Sequence, residues 1–265
     1  MNPEIDTSKP HSARVYDYWL GGKNNYEVDA EAAEHFEKMW PGVRQLIAAN
    51  RAFMHRATRH LAEEAGIRQF LDIGTGIPTE PNLHQVAQGA APDARVVYAD
   101  NDPIVLQYAQ ALLRSSPEGR TAYLHADVTD PRAILDSSEV RDTLNLERPV
   151  AVSLVALLHF IAEDETALAI VRQLMEPLPS GSYLVLSHGT SDTDEPELAE
   201  RAADYYRSNV SDGQARPREA ILALFDGLDL VEPGLVPVNH WRPDGTGSEV
   251  PDHKALILAG VARKP

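Results

Sequence analysis

Three carboxylates in this sequence stand where predicted β-strands end, which is where side chains can act on a ligand. Asp72 lies in an apolar run just before two glycines, Asp100 ends a second such run, and Asp127 follows a third. In a parallel sheet with helices on both faces, neighbouring strands present their carboxyl ends to one crevice, where nucleotides bind. A carboxylate there can accept hydrogen bonds from ribose hydroxyls, and charged acceptors make the stronger bonds. The pattern predicts a site for a nucleoside-containing cofactor.

The glycine turn after Asp72 separates two cofactor classes. Gly74 and Gly76 lack a Cβ, so the chain can turn sharply around Thr75 and a ligand can approach the backbone. A dinucleotide-binding turn has a third glycine, but Thr79 stands at that position here. A carboxylate directly before the glycines fits the amino-acid end of S-adenosylmethionine better, with Asp100 at its ribose and Asp127 at its adenine. An NAD(P)-dependent oxidoreductase is the alternative.

Composition narrows the function further. The 265 residues include 40 Asp and Glu against 24 Lys and Arg, a formal net charge of −16, and no cysteine. That charge repels phosphate backbones and anionic membrane surfaces, so we expect a small-molecule substrate rather than nucleic acid or a membrane. No apolar run approaches the length of a membrane span and no disulfide can form. We expect a cytoplasmic monomer or homodimer without a metal site.

The hydrophobic pattern predicts an α/β fold. Residues 1–66 look helical and form a cap or lid segment, whereas residues 67–265 alternate apolar runs with amphipathic segments. Such alternation indicates a doubly wound, mostly parallel, seven-stranded sheet with an antiparallel pair at one edge. The predicted strands cover 67–73, 95–100, 120–125, 150–155, 183–188, 228–236 and 254–262. The predicted helices cover 27–40, 43–66, 80 onward, 103–114, 131–144, 164–177, 195–208 and 217–226.

Several runs resemble one family. They are Ala13–Tyr18 with Leu20–Lys23, Asn50–Phe53, Phe70–Thr79, Val97–Pro103, Leu158–Phe160 and Gly181–His188. In these runs the chain resembles class I S-adenosylmethionine-dependent methyltransferases, and most closely an actinobacterial family of unassigned substrate. The resemblance implies a Rossmann-like methyltransferase fold and a transferase acting on an oxygen or nitrogen of a small molecule. It implies that the cofactor contacts, besides the three acids and the Gly74–Gly76 turn, include Asn101 and Val128. A non-catalytic S-adenosylmethionine-binding sensor or partner protein is a further alternative.

The resemblance also indicates where a catalytic base would stand. His159 follows the fourth predicted strand and His188 ends the fifth, and an unperturbed histidine titrates near pH 6.5. Arg14, Tyr16 and Tyr18 belong to an aromatic segment that is either a plain amphipathic helix or part of a substrate-binding lid. In the lid interpretation, the tyrosine rings face the sulfonium or the substrate and Arg14 pairs with a carboxylate.

Overall fold

Three helices precede the central sheet. The computed structural model describes residues 6–112, 114–245, 250–251 and 254–265. Helix α1 is Ser12–Trp19, α2 is Glu27–Met39 and α3 is Val43–Glu63. The imidazole of His11 caps α1, and the Gly42 N-cap has a left-handed φ of +107° that turns the chain sharply from α2 into α3.

A mostly parallel sheet forms the centre of the molecule. Its strands run in the order β3-β2-β1-β4-β5-β8-β6, with β7 also paired to β8. Strands β1 to β5 are parallel, and β8 is antiparallel to β5. The strands are β1 (Gln69–Ile73), β2 (Arg95–Asp100), β3 (Arg120–His125), β4 (Ala151–Val155), β5 (Tyr183–Gly189), β6 (Asp229–Leu230), β7 (Val236–Pro237) and β8 (Ile257–Arg263). The order reverses between β1 and β4, so the binding crevice is expected above the end of β1.

The two faces of the sheet bury separate cores. Phe70 packs into the core on the side of α1 to α3, whereas its neighbour Leu71 packs into the core on the opposite side. This alternation follows from the two-residue period of a strand, and burial on both faces explains the apolar residues Phe70, Leu71 and Ile73 of β1. Asp72 points to the same side as Phe70, which directs its carboxylate toward the N-terminal helices.

The remaining helices cover both faces. They are α4 (Leu83–Ala90), α5 (Pro103–Leu112), α6 (Pro131–Asp136), α7 (Ser138–Thr143), α8 (Asp164–Met175), α9 (Pro196–Asn209) and α10 (Arg218–Ala223). Helix α4 joins the core of the N-terminal helices, whereas α6, α7, α8 and α10 pack on the other face. A 3₁₀ turn, Leu158–Phe160, follows β4. Within the described residues, no helix has the length and apolar character needed to span a bilayer.

The structure confirms the α/β class and changes some element boundaries. The predicted helix over 131–144 is two helices, because Ser137 ends α6 and its hydroxyl caps α7. The predicted strand over 228–236 is only the short segments β6 and β7, since the chain turns at Gly234 between them. The helix expected from residue 80 begins at Leu83, where Asn82 and Gln85 form a capping box.

Candidate active site

A cavity of about 930 Å³ opens at the carboxyl edge of the sheet. One part is lined by strand ends and carries Asp72, Asp100 and Asp127, and we call it the acidic half. The other part lies under the N-terminal helices and α9, and we call it the aromatic half. Its rings belong to Trp19, Phe36, Trp40, Phe160 and Tyr206.

The glycine turn forms the floor of the acidic half. Gly74 and Gly76 have left-handed φ values of +71° and +66°, a region that side chains disfavour. A Cβ on Gly74 would lie 2.5 Å from Cδ1 of Leu157, so a side chain at this position would force the Leu157 side chain to move. A Cβ on Gly76 would meet no atom within 4 Å, so the backbone there faces open space that a ligand can enter.

Asp100 is already held in place by the backbone around it. Its Oδ2 accepts a hydrogen bond from the Gly76 N–H at 2.9 Å, and its Oδ1 accepts one from the Asp102 N–H at 2.9 Å. Each oxygen of an ionised carboxylate has capacity for a second donor, so both remain available to ribose hydroxyls. Burial raises the pKa of this carboxyl, and the two backbone hydrogen bonds act in the opposite direction.

Asp72 and Arg51 form a pair of opposite charges in the same half. Burial raises the pKa of Asp72 to about 6, although Thr75, Ser153 and the Arg51 guanidinium favour its ionised form. Arg51 donates to the backbone oxygens of Thr79 and Pro81, but its Nε is buried without a hydrogen-bond partner among the described residues. An unpaired buried donor is costly, which makes it a good partner for a ligand carboxylate.

Asp127 and Asn101 lie at the ends of β3 and β2. Asn101 donates to Asp127 Oδ2 at 2.9 Å, and the Thr129 N–H donates to Oδ1 at 2.8 Å. Burial raises the pKa of Asp127, but these hydrogen bonds outweigh it and hold the pKa below its usual value. The cap of α6 is Asp130, so Asp127 has no helix-capping role to explain its position. Val128 is buried beside it on the cavity wall.

The two predicted histidines occupy different positions. His159 lines the cavity, and its Nδ1 is buried without a partner. His188 is fully buried behind it, 5.7 Å away between ring centroids, and is outside the cavity wall. Arg216 donates to His188 Nε2 at 2.8 Å, so the ring is neutral with its proton on Nδ1, which donates to the Gly189 oxygen at 2.7 Å.

Both histidines differ from the unperturbed ring assumed from the sequence. Burial lowers the pKa of His159 to about 3, and the neighbouring His188 and Arg216 act in the same direction. Burial lowers the pKa of His188 to about 4. Both rings are therefore neutral at physiological pH, able to accept or donate hydrogen bonds but poorly suited to holding an additional proton.

Comparison with known proteins identifies the family. A family model described as S-adenosyl methyltransferase matches residues 1–265. The chain belongs to the S-adenosyl methyltransferase family. Its cofactor is S-adenosylmethionine, and the protein is an S-adenosylmethionine-dependent methyltransferase. No curated protein matches this methyltransferase.

Solved structures agree with this assignment. A DUF574 family protein from Streptomyces avermitilis is 52% identical, with a TM-score of 0.95 over 99% of this chain and 100% of that one. A protein from Thermobifida fusca, described as a proposed methyltransferase, is 41% identical, with a TM-score of 0.90 over 99% and 97%. Human N-acetylserotonin methyltransferase, solved with S-adenosylmethionine, is 14% identical with a TM-score of 0.50 over 93% and 62%, and it supports the fold alone.

The residues of the methyltransferase fit this cofactor. Gly76 leaves open space beside the turn, and Asp100 has spare hydrogen-bonding capacity for a ribose. Asp72 and the unpaired Nε of Arg51 match the ammonium and carboxylate of an amino-acid tail. The acidic half therefore carries groups complementary to each polar part of the molecule.

The lid residues predicted from the sequence are divided between the cavity and the surrounding structure. Tyr16 lines the cavity, where its hydroxyl accepts from Asn50 at 3.0 Å. Arg14 is buried outside the cavity wall and forms an ion pair with Asp29 at 3.2 Å. Tyr18 is also outside the wall, and its hydroxyl donates to Glu34 at 2.8 Å.

Sequence reasoning missed Arg51 and the aromatic half. The lid interpretation pairs Arg14 with a carboxylate, but Arg51 is the arginine that lines the cavity. Its signal was its place in the run Asn50–Phe53, which resembles the family. Tyr206 gave no such signal, because a tyrosine in an amphipathic helix is typical of ordinary core packing.

Proposed function

We propose that the protein methylates an oxygen or nitrogen of a small molecule bound in the aromatic half. The observation that carries this proposal is that one cavity of about 930 Å³ continues from the acidic half into a set of aromatic rings. Pockets for drug-sized ligands span about 300–1,000 Å³, and this cavity lies near the upper end of that range. The net charge of −16 supports a small molecule rather than a nucleic acid as the acceptor.

The acidic half is proposed to bind the cofactor. Asp100 would accept hydrogen bonds from the ribose, and Asp127, with Asn101 and Val128, would contact the adenine. Asp72 would pair with the ammonium of the tail and Arg51 with its carboxylate. The Gly74–Gly76 turn, with Thr75, would pass beneath the tail, since Gly74 and Gly76 adopt left-handed conformations.

Little acid–base chemistry is required of the protein. When bound, S-adenosylmethionine supplies a methyl carbon activated by its sulfonium sulfur, so positioning and exclusion of water do most of the work. His159 is neutral because of its burial, and its ring can accept a hydrogen bond from the acceptor and orient a lone pair. Burial and the nearby Arg216 disfavour a protonated His159, so the ring does not keep the acceptor's proton, which is released to water when the methylated product leaves the site.

Calorimetric titration tests the cofactor site directly. S-adenosylhomocysteine should bind, and NAD should not. Asp100→Ala should make the binding free energy of S-adenosylhomocysteine less favourable by about 1.5–3 kcal/mol, the value of hydrogen bonds to a charged group. The matched control is Asp93→Ala, an exposed aspartate in the turn before β2, which should leave the affinity unchanged. Unchanged affinity in Asp100→Ala would remove Asp100 from the site, and preferential binding of NAD would overturn the proposal.

A further inference from the structure

Four rings of the aromatic half, Trp19, Phe36, Tyr206 and Phe160, form one continuous wall. Trp19 and Phe36 lie 5.3 Å apart between centroids, Phe36 and Tyr206 5.9 Å, and Tyr206 and Phe160 6.3 Å. His159 continues the series, 4.3 Å from Phe160. Aromatic faces and edges at such distances favour stacked or edge-on contact with another ring. The wall therefore provides a surface for a flat, apolar ligand.

Buried charge is nearly absent from this wall. Among the described residues, the only buried charged side chain that α1, α2, the Leu158–Phe160 turn or α9 contributes to the cavity is Asp17. Its Oδ2 already accepts from the Asn24 N–H at 2.9 Å and from Asn25 Nδ2 at 2.8 Å. Glu200 and Arg207 of α9 also line the cavity, but both are exposed to solvent. A charged ligand at the rings would lose its hydration and gain at most a solvent-screened ion pair, which is unfavourable.

Two polar groups of the aromatic half have no hydrogen-bond partner among the residues that the structure describes. The indole Nε1 of Trp40 is buried without a hydrogen bond, although Trp40 lines the cavity and is only 4% exposed. The hydroxyl of Tyr206 has no hydrogen-bond partner in the part of the chain that the structure describes, and burial raises its pKa, so it stays protonated. An indole N–H only donates, so it requires an oxygen or nitrogen acceptor on the ligand.

We infer that the methyl acceptor is an uncharged aromatic molecule that carries a hydroxyl group, stacked on the rings of the aromatic half and hydrogen-bonded by Trp40. This inference rests on the proposed function, since it assigns the second ligand of the same cavity. The Trp40 N–H would hold one oxygen of the ligand, and His159 would accept from the hydroxyl. Desolvation disfavours anionic and cationic analogues of the same shape.

Matched ring probes test the inference. 2-Naphthol, 2-naphthoate and 2-naphthylmethylammonium have the same rings but differ in charge, and each is titrated by calorimetry with and without saturating S-adenosylhomocysteine. We expect 2-naphthol to bind at least about tenfold more tightly than either ion, because the ions lose hydration without a partner. Equal or tighter binding of 2-naphthoate or 2-naphthylmethylammonium would overturn the inference.

Variants locate the probe within the cavity. Ala203→Phe fills the aromatic half from α9 and should reduce 2-naphthol affinity at least about tenfold, while S-adenosylhomocysteine affinity stays the same. The control is Ser208→Phe, an exposed position on α9 outside the cavity wall, which should change neither. Trp40→Phe keeps an aromatic ring but removes the N–H, and it should reduce the affinity for 2-naphthol about fivefold.

The same titrations separate this inference from the proposed function. If S-adenosylhomocysteine does not bind, the cofactor site is wrong, and the titrations without it still measure the charge preference of the aromatic half. If S-adenosylhomocysteine binds but 2-naphthol is unaffected by Ala203→Phe, the cofactor site stands and the acceptor assignment is wrong.

Discussion

The two halves of the cavity are built in different ways. The acidic half comes from the carboxyl ends of β1, β2 and β3 and is fixed by backbone hydrogen bonds, such as the one from the Gly76 N–H to Asp100. The aromatic half comes from helices far apart in the sequence, and rings and unpaired polar groups line it. Under the proposed function, the acidic half is preorganised for the cofactor, whereas the aromatic half would select the acceptor mainly by shape and charge.

One residue connects the aromatic half to the sheet. Arg216 is 1% exposed and donates to the Leu158 oxygen at 3.1 Å, to the Ile161 oxygen at 2.7 Å and to His188 at 2.8 Å. It also pairs with Asp164 at 2.7 Å. These contacts hold the turn that carries His159 and Phe160.

The largest expected effect is therefore that of Arg216→Met. The substitution leaves buried carbonyl oxygens without donors, so the free energy of unfolding should fall by about 3–5 kcal/mol in urea denaturation. Arg216→Lys keeps one donor group, so its free energy of unfolding should fall less than that of Arg216→Met. In the folded variants, affinity for 2-naphthol should drop more than affinity for S-adenosylhomocysteine.

The control for this substitution is Arg172→Met, which removes an exposed arginine of α8 and should change stability by less than about 0.5 kcal/mol. If Arg216→Lys weakened the binding of 2-naphthol and of S-adenosylhomocysteine equally, the two halves of the cavity would not be independent of each other.

An intermediate effect is expected from Asp72→Asn, which tests the charge of the acidic half. S-adenosylhomocysteine should bind about 10–100-fold more weakly, because its ammonium loses a charged partner. 5′-Methylthioadenosine has no amino-acid tail and should bind with unchanged affinity. Calorimetry of both ligands measures the difference, and equal losses for the two would place Asp72 away from the tail.

The same variant should be more stable than the parent protein at neutral pH. The pKa of Asp72 is about 6 against an ordinary 3.8, so the folded protein binds its proton more tightly than the unfolded chain. Ionised Asp72 therefore destabilises the folded protein fully above pH 6, and this destabilisation decreases as the pH falls and is absent below pH 4. Asp72→Asn should raise the free energy of unfolding by about 1–3 kcal/mol at pH 7.5 and by nothing below pH 4. A variant that is less stable at pH 7.5 would contradict this account.

The smallest expected effect is that of His159→Gln on the pH dependence of stability, at the position where the two halves of the cavity meet. Its pKa of about 3 lies below that of a histidine in an unfolded chain, so protonation favours unfolding and stability falls as pH drops below 6.5. His159→Gln should recover about 1 kcal/mol of that loss at pH 5.5. Urea titrations at pH 7.5 and 5.5 check this, and an unchanged pH slope would mean that the folded protein protonates His159 normally.

Local sequence was enough to predict the sheet and the acidic half. The alternation of apolar strands and amphipathic helices indicated the α/β class, because a two-sided sheet must be covered on both faces. Asp72, Asp100 and the glycines were found because they are close in sequence to the strand ends that position them. The helix split at Ser137 and the short β6 and β7 were missed, since hydrophobic period does not reveal a cap or a turn inside an apolar run.

The sequence by itself determined the acids at the strand ends, the glycine turn and the family. The tertiary structure alone decided which arginine faces the cavity, since Arg51 and Arg14 are both on N-terminal helices and only packing distinguishes them. It also decided that His159 lines the cavity while His188 is buried behind it. Residue type and spacing specify what a strand end can bind, but burial and neighbours from distant segments set the pKa and accessibility of each group.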